Sequence, residues 1–288
     1  IENCNPCGEQ PLPKNFCCNL GSLNLAEFVE YPYTNNAIFN LDEFKNAIYI
    51  AVKALDTIID ENKDNHALKE QSENSLNYRN IGLGVMGYAT CLMKLGITYG
   101  SQKAKEWTDF IFRELFRTAV FASNQLAKEK GTFPKYKNVV WNSNIIKNHF
   151  VTEEIKELKK HGLRNCSLIS IAPTGSIANL LGVSNGCEPE FALKYTRKTE
   201  SLNNGQDKLY EVCCNAIKEY QTTTGNNDIP KYFVSSADIN WKDRINIQAI
   251  MQNHVDTAIS STVNLPEKTT LKDVEQLYLY AWKQGLKG

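Results

Sequence analysis

Long amphipathic helical patterns alternate with short β-branched runs along this chain, and that alternation most constrains its fold. From Asn40, placed with Glu43 as a capping box, apolar residues recur at helical spacing to about Asp60. A longer pattern follows Ser101 as a cap and stops at Gly131. Both patterns predict scaffold helices that bury one face.

The candidate strands are shorter. The run from Cys166 to Ala172 is apolar and β-branched, and Pro173 to Ser176 break it before a short helix over IANLLG. Further expected elements are a buried helix near 84–95, strands at 191–195 and 231–235, and helices at 243–259 and from Thr270 to Gly285. Alternating strands and helices favour the α/β class. We expect residues 1–288 to form one domain that is part of a larger unit.

Composition excludes several classes of protein. The chain has 288 residues, 42% of them hydrophobic, which is enough for a large packed core. Lys plus Arg equals Asp plus Glu at 32 each, so no net field draws the chain to nucleic acid or to anionic membranes. No apolar run reaches the ~20 residues of a membrane helix, and no signal-peptide pattern opens the sequence. We expect a cytoplasmic protein whose anionic ligands need a local site.

Nine cysteines are an odd number in a chain too long to need a disulfide framework, so we expect mostly reduced thiols. Four of them, Cys4, Cys7, Cys17 and Cys18, crowd the first eighteen residues. Four thiolates can hold structural zinc, and a zinc-stabilised, non-catalytic binding module is therefore the alternative function. The spacing argues against it, because adjacent Cys17 and Cys18 would point in opposite directions in an extended segment. Cys4 and Cys17 are better explained as small buried residues.

The neighbours of Cys7 set it apart from the other thiols. Asn5 and Glu9 flank it at alternate positions, and in an extended loop such residues share a face. An amide, a thiol and a carboxylate would then project into one space, where Glu9 can accept a proton and Cys7 can act as a nucleophile or one-electron centre. Spacing alone does not separate this interpretation from coincidence.

A glycine motif from Gly82 to Gly87 fits G-x-G-x-x-G, which by itself suggests a nicotinamide dinucleotide site. The preceding SLNYRN is too polar for a buried parallel strand, and the acidic residue expected ~20 positions later would fall inside the helix after Ser101. We therefore expect these glycines to serve close packing at a helix start.

His254 and Asp256 could be imagined as metal ligands, but no third ligand is in reach by sequence. We expect a hydrogen-bonded pair on a helix instead. No metal site is predicted for this chain.

Several segments of the chain, taken in order, resemble the catalytic subunits of ribonucleotide reductases. They are NPCGEQPLP, CNLGSLNL, RNIGLGVMGYA, IAPTGSIANLLGVSNGCEPEFALKYTRK and HVDTAISSTVNLPE, spread from residue 5 to residue 267. Their joint occurrence is highly specific, and the sequences of these motifs are most similar to those of the adenosylcobalamin-dependent class. The resemblance implies a ten-stranded α/β barrel of two half-barrels with a central finger loop. Residues 1–288 would then hold the second half-barrel and the finger loop.

The resemblance also implies roles for the NPCGE segment. Cys7 would carry a transient thiyl radical and abstract the hydrogen at the ribose 3' carbon. Glu9 would take the 3'-hydroxyl proton, and Asn5 would hold the ribose hydroxyls and the reacting carbonyl by hydrogen bonds. Pro6 and Gly8 would line the same substrate surface.

Cys18, which opens CNLGSLNL, would be one half of the dithiol that reduces the 2' carbon. In the family its partner lies far upstream, and no cysteine before Cys18 in this chain matches that context. Cys17 is a poor substitute, because a disulfide between adjacent residues is strained. We therefore expect the chain to work with an N-terminal part of the reductase, supplied by a split chain or a spliced precursor.

The substrate phosphates would meet the start of the short helix at Pro173, Thr174, Gly175, Ser176 and Ile177. Backbone N–H groups at a helix start, aided by two hydroxyls, form an anion site that needs no lysine. From this stretch alone an ordinary capped turn explains the residues equally well. The resemblance favours the phosphate site.

The remaining implications concern chemistry from outside the chain. The family resemblance implies adenosylcobalamin as the radical source, with a metal-containing second subunit as the alternative. The substrate would be a ribonucleoside di- or triphosphate, the product a 2'-deoxyribonucleotide for DNA synthesis, and the final reductant a thioredoxin-like protein.

Overall fold

The computed structural model describes residues 1–199 and 208–288. Its helices are α1 Leu41–Glu61, α2 Lys69–Tyr78, α3 Tyr88–Lys94, α4 Gln102–Lys130, α5 Asn144–His149, α6 Thr152–Lys159, α7 Gly175–Leu181, α8 Asn215–Thr224, α9 Trp241–Gln252 and α10 Leu271–Lys283, with 3-10 turns at Leu25–Phe28 and Asn138–Asn142. Its strands are β1 Asn3–Cys4, β2 Pro11–Leu12, β3 Leu20–Asn24, β4 Val29–Glu30, β5 Ile38–Phe39, β6 Gly82–Met86, β7 Lys194–Thr199 and β8 Lys208–Cys213.

The two longest helices, α1 and α4, begin where their capping residues predict. The Asn40 side chain accepts a hydrogen bond from the N–H of Glu43 at 3.0 Å, and Ser101 accepts one from Ala104 at 3.1 Å. Gly131 ends α4 at a φ of +82°. Their apolar stripes pack together in the main core of the molecule. Both helix predictions are confirmed.

A parallel array of backbone segments forms the central layer. β3 pairs in parallel with β6, Leu83 of β6 bridges to Ile169, and Ile171 bridges in turn to Ile259. Spatial order therefore follows chain order, with α-helical segments between the strands, which confirms the α/β class. No closed barrel forms among the residues that the structure describes.

Two predictions failed where sheet pairing overrode a helical pattern. The helix expected near 84–95 is shorter than predicted, because residues 82–86 form strand β6 and α3 begins only after Gly87, which lies in the left-handed region. The helix expected to run to residue 259 ends at Gln252, because the backbone around Ile259 joins the parallel array. Residues 82–86 are a short, wholly apolar run, which fits a buried strand and a buried helix equally well, so periodicity could not decide there.

The predictions of the shorter strands are confirmed in part. Residues 166–172 lie in the parallel array but make isolated bridges rather than a full ladder. Strand β7 starts at Lys194, three residues later than predicted, and residues 231–235 contribute one bridge, Ser235 to Glu190. The helices from Gly175 and from Leu271 are confirmed, and Thr270 and Asp273 form a capping box at the start of the latter.

A buried ionic cluster ties the helices to the array. Asp56 of α1 is fully buried and lies 2.8 Å from Arg79 Nε and 3.4 Å from Arg164 Nε. Asn165 donates to the same carboxylate at 3.0 Å. The cluster joins α1, the end of α2 and the segment that enters the array. Within the described residues, none of the helices has the length and apolar character needed to cross a membrane.

The glycines of the 82–87 motif serve close packing, as predicted, although on a strand rather than at a helix start. A Cβ on Gly84 would lie 2.4 Å from the backbone oxygen of Ser170. One on Gly82 would lie 2.8 Å from Ser170 Cβ. Only glycine lets the two segments approach this closely.

Replacing Gly84 with alanine should therefore destabilise the fold. We expect a loss of about 1–3 kcal/mol in the free energy of unfolding, the usual cost of overpacking, measured by urea denaturation. Gly21→Ala on the neighbouring strand is the matched control, since its Cβ would meet Leu55 at an ordinary 3.4 Å. Equal stabilities for the two variants would contradict the packing role.

Candidate active site

The NPCGE segment forms the tip of a small hairpin whose arms are β1 and β2. Asn5 donates its N–H to the Gln10 carbonyl at 3.2 Å, and Gln10 donates back to Asn5 Oδ1 at 2.9 Å. Gly8 N–H closes a turn on the Asn5 carbonyl at 3.1 Å, with Gly8 at a φ of +85°. The expectation of an extended loop was wrong, because Pro6 and Gly8 occupy the positions that they favour in β-turns.

The hairpin is docked onto the parallel array through Glu9. The Glu9 carbonyl accepts hydrogen bonds from Ala258 N–H and from Ser170 Oγ, both at 3.0 Å. The Glu9 side chain is 1% exposed, and its Oε2 has no hydrogen-bond partner in the structure. Cys7, at the tip, is exposed. The site thus combines an accessible thiol with a buried carboxylate that retains an unused acceptor.

Cys18 lies two residues before β3 and is close enough to the hairpin for the hairpin's charges to shift its pKa. Burial raises its pKa to about 11, and the negative charges of Glu9, Cys4 and Cys7 contribute to the same shift. An open cavity of about 540 Å³ is lined by Asn5 and Cys18, with Cys4, Pro6 and Lys14 among its other walls. The fold therefore brings Cys18 to the NPCGE hairpin, although eight residues separate Cys18 from Glu9 in the sequence.

The cysteine cluster does not form a zinc site. Cys17 interacts with Ser75 of α2, whereas Cys18 adjoins the hairpin. In residues 1–199 and 208–288, no group of three or more His, Cys, Asp or Glu side chains is arranged to hold a metal ion. All nine cysteines are free thiols. The zinc-module alternative therefore finds no support.

The predicted phosphate loop follows the C-terminal end of the 168–171 segment, on the edge where parallel α/β proteins bind ligands. Thr174 adopts a left-handed conformation with a φ of +58°. Its hydroxyl donates to the Pro173 carbonyl and accepts from Gly186 N–H at 2.8 Å, so this hydroxyl stabilises the loop itself. The first N–H groups of α7, from Gly175, and the exposed Ser176 are the groups left for an anion.

Sequence reasoning misjudged His254 and Asp256, which do not pair with each other. His254 Nε2 lies 3.0 Å from Asp109, and its Nδ1 lies 2.7 Å from His149. Asp256 instead accepts from the N–H groups of Leu168 and Ile169, at 2.8 and 2.7 Å. Neither residue lies in a helix, because α9 ends at Gln252.

Lys287 stabilises the backbone next to the site, a role that the sequence did not predict. Its ammonium donates to three successive carbonyls, those of residues 255–257, at 2.9 to 3.1 Å. Burial raises the pKa of the Asp256 carboxyl, and the positive charge of Lys287 opposes that shift. A Cβ on the adjacent Gly288 would lie 3.0 Å from the Gly8 carbonyl oxygen, so the 285–288 segment also abuts the hairpin tip. No local pattern marks such a distant contact.

The family model for the ribonucleotide reductase barrel domain matches residues 1–288. The chain belongs to this family. It is 33% identical, over its full length, to the vitamin B12-dependent ribonucleoside-diphosphate reductase of Mycobacterium tuberculosis, of which it covers 41%. The corresponding enzyme of Thermoplasma acidophilum is 32% identical over the whole chain and 37% of its own length.

A ribonucleoside-diphosphate reductase subunit alpha of Chlamydia pneumoniae is 29% identical over 94% of the chain and 29% of its own length. The chain thus spans about two fifths of the length of the first relatives. These matches confirm the resemblance to the reductase family drawn from the motifs.

The raised pKa of Cys18 in this reductase domain can be tested by alkylation. We expect the rate of iodoacetamide labelling at Cys18, followed by mass spectrometry, to rise with pH toward a midpoint near 11. Glu9→Gln should move the midpoint down, because a negative carboxylate disfavours the thiolate. Glu43→Gln, on the distant α1, is the control. An unchanged midpoint in Glu9→Gln would place Glu9 away from Cys18.

Proposed function

We propose that this chain carries the radical cysteine of a ribonucleotide reductase, which converts ribonucleotides to 2'-deoxyribonucleotides for DNA synthesis. The observation that carries the proposal is the hairpin itself, in which the buried Glu9 carboxylate keeps an unpartnered oxygen next to an exposed Cys7. An acceptor buried without a partner is costly, and the substrate hydroxyl would supply the missing donor. The names of the relatives support the same reaction.

In the proposed mechanism a thiyl radical at Cys7 abstracts the hydrogen on the ribose 3' carbon, forming an S–H bond and a carbon radical. Glu9 accepts the 3'-hydroxyl proton as a general base. Asn5 Oδ1 is bound to Gln10 N–H, so its Nδ2 is the group turned to substrate oxygens. This assignment refines the expected role of Asn5 to that of a donor.

Reduction at the 2' carbon needs two electrons and releases the 2'-hydroxyl as water. Cys18 and a second thiol would supply the two electrons and become a disulfide. With a pKa of about 11, Cys18 is a protonated thiol at neutral pH, which is the form that carries the hydrogen to be donated. The second thiol would come from an N-terminal part of the reductase, and a thioredoxin-like protein would re-reduce the pair.

The substrate phosphates would bind at residues 173–177. The α7 N-terminus directs backbone N–H groups at this point, and the loop occupies the ligand-binding edge of the parallel array. A di- or triphosphate would be held without a lysine. Reducing chemistry of this kind fits a cytoplasmic location, where thiols stay reduced.

Adenosylcobalamin is the proposed radical source, supported by relatives named as vitamin B12-dependent. The exposed Cys7 thiol fits this requirement, since a bulky group can reach its sulfur from outside the hairpin. Pro6 and Gly8 would flank the approach. When bound, the cofactor supplies the one-electron chemistry that generates the thiyl radical. A metal-containing second subunit is the alternative source.

Cys7→Ser in the complete reductase should abolish turnover while leaving ribonucleotide binding intact, because a hydroxyl cannot form the radical under these conditions. Turnover is measured as deoxyribonucleotide formed, and binding by equilibrium dialysis. Cys4→Ser is the matched control, an exposed thiol on the same hairpin. Full activity in Cys7→Ser would refute the assignment.

Glu9→Gln should lower kcat by about 10²–10⁴-fold, the usual contribution of a general base, with little change in substrate binding. Glu2→Gln removes an exposed carboxylate of the same hairpin and should have little effect. If both substitutions lowered kcat equally, the effect would be one of hairpin charge rather than of proton transfer.

A further inference from the structure

Gln10, the residue after the proposed base, has a buried amide whose hydrogen-bonding groups are unpaired. Its side chain is fully buried, and neither amide atom, Oε1 or Nε2, has a hydrogen-bond partner in the structure. Burying an unpaired amide is unfavourable, and an apolar side chain of the same shape would fill the space at lower free energy. The amide is therefore expected to have a partner in a state other than the free protein.

The position of the Gln10 amide indicates that partner. A Cβ on Gly82 would lie 2.7 Å from Gln10 Nε2 and 2.8 Å from Ser170 Cβ, so both side chains border the same point above β6. The absence of a side chain at Gly82 leaves room for them. Ser170 is fully buried, and its Cβ and Gln10 Nε2 both lie within 2.8 Å of that point.

Both residues are already bound to the groups that the reaction uses. Ser170 Oγ donates to the Glu9 carbonyl at 3.0 Å and keeps its lone pairs free to accept. The backbone of Gln10 holds Asn5 from both sides, through Asn5 N–H and Asn5 Oδ1. A small movement of the Gln10 amide toward Ser170 would join these contacts into one network.

We propose that Gln10 and Ser170 are positioning residues that act through Glu9. In the substrate-bound enzyme, Gln10 Nε2 donates to Ser170 Oγ, which in turn holds the Glu9 carbonyl and so the backbone from which the Glu9 carboxylate projects. The inference rests on the proposed function. It assigns no chemical step to either residue.

A double-mutant cycle in the complete reductase tests this relay. Gln10→Met keeps the shape of the side chain and removes the amide, and Ser170→Ala removes the hydroxyl. We expect each variant to lower kcat about tenfold or more, with KM for the ribonucleotide within about twofold of wild type. The double variant should be no slower than the slower single variant, because both substitutions break one network.

Thermal unfolding distinguishes a positioning role of Gln10 from a structural one. Gln10→Met should melt at or above the wild-type temperature, since the amide has no partner to lose. The matched control is Gln252→Met, which should melt lower, because that buried amide donates to the carbonyls of Val255 and Thr257 at 3.0 and 3.3 Å.

The possible failures are distinguishable. Turnover that depends on Cys7 but is unaffected by Gln10→Met would overturn the relay and leave the proposed function standing. Multiplicative losses in the double variant would also overturn it, as would a fall in the kcat of Gln10→Met that is matched by a fall in its melting temperature. A complete reductase whose turnover survives Cys7→Ser would overturn both.

Discussion

The candidate site depends on two hydrogen bonds to one carbonyl oxygen. Ala258 N–H and Ser170 Oγ both donate to Glu9, and they come from neighbouring segments of the parallel array. Because the NPCGE hairpin has short arms, its own ladder cannot fix where the tip lies. Docking at Glu9 gives the tip a rigid support, and the positions of Cys7 and Asn5 follow from it.

The array that supports this contact is itself held by close packing and buried charge. Gly84 allows β6 to approach the backbone of Ser170, which sets the depth at which that serine lies. The Asp256 carboxylate accepts hydrogen bonds from the N–H groups of residues 168 and 169, and so joins them to the segment before Ala258. Lys287 donates to the carbonyls of residues 255–257 in that same segment. Precise placement of a reacting group requires this kind of supporting shell.

Local signals predicted the parts of the fold that local interactions decide. The caps at Asn40, Ser101 and Thr270 fixed the helix starts, since a side chain and its own backbone suffice for a cap. The same signals failed at residues 82–86, where both neighbours of the strand lie far away in sequence. Asp256 was misjudged for the same reason, because its partners are about 88 residues distant.

By itself, the sequence determined the family and the α/β class and predicted which residues would react, since these depend on residue type and order. Only the tertiary structure decided that Glu9 and Gln10 are buried with unpartnered atoms while Cys7 is exposed, and that Cys18 adjoins them. Burial and proximity are properties of the packed chain. They arise when the hairpin docks onto strands that follow it by more than 150 residues.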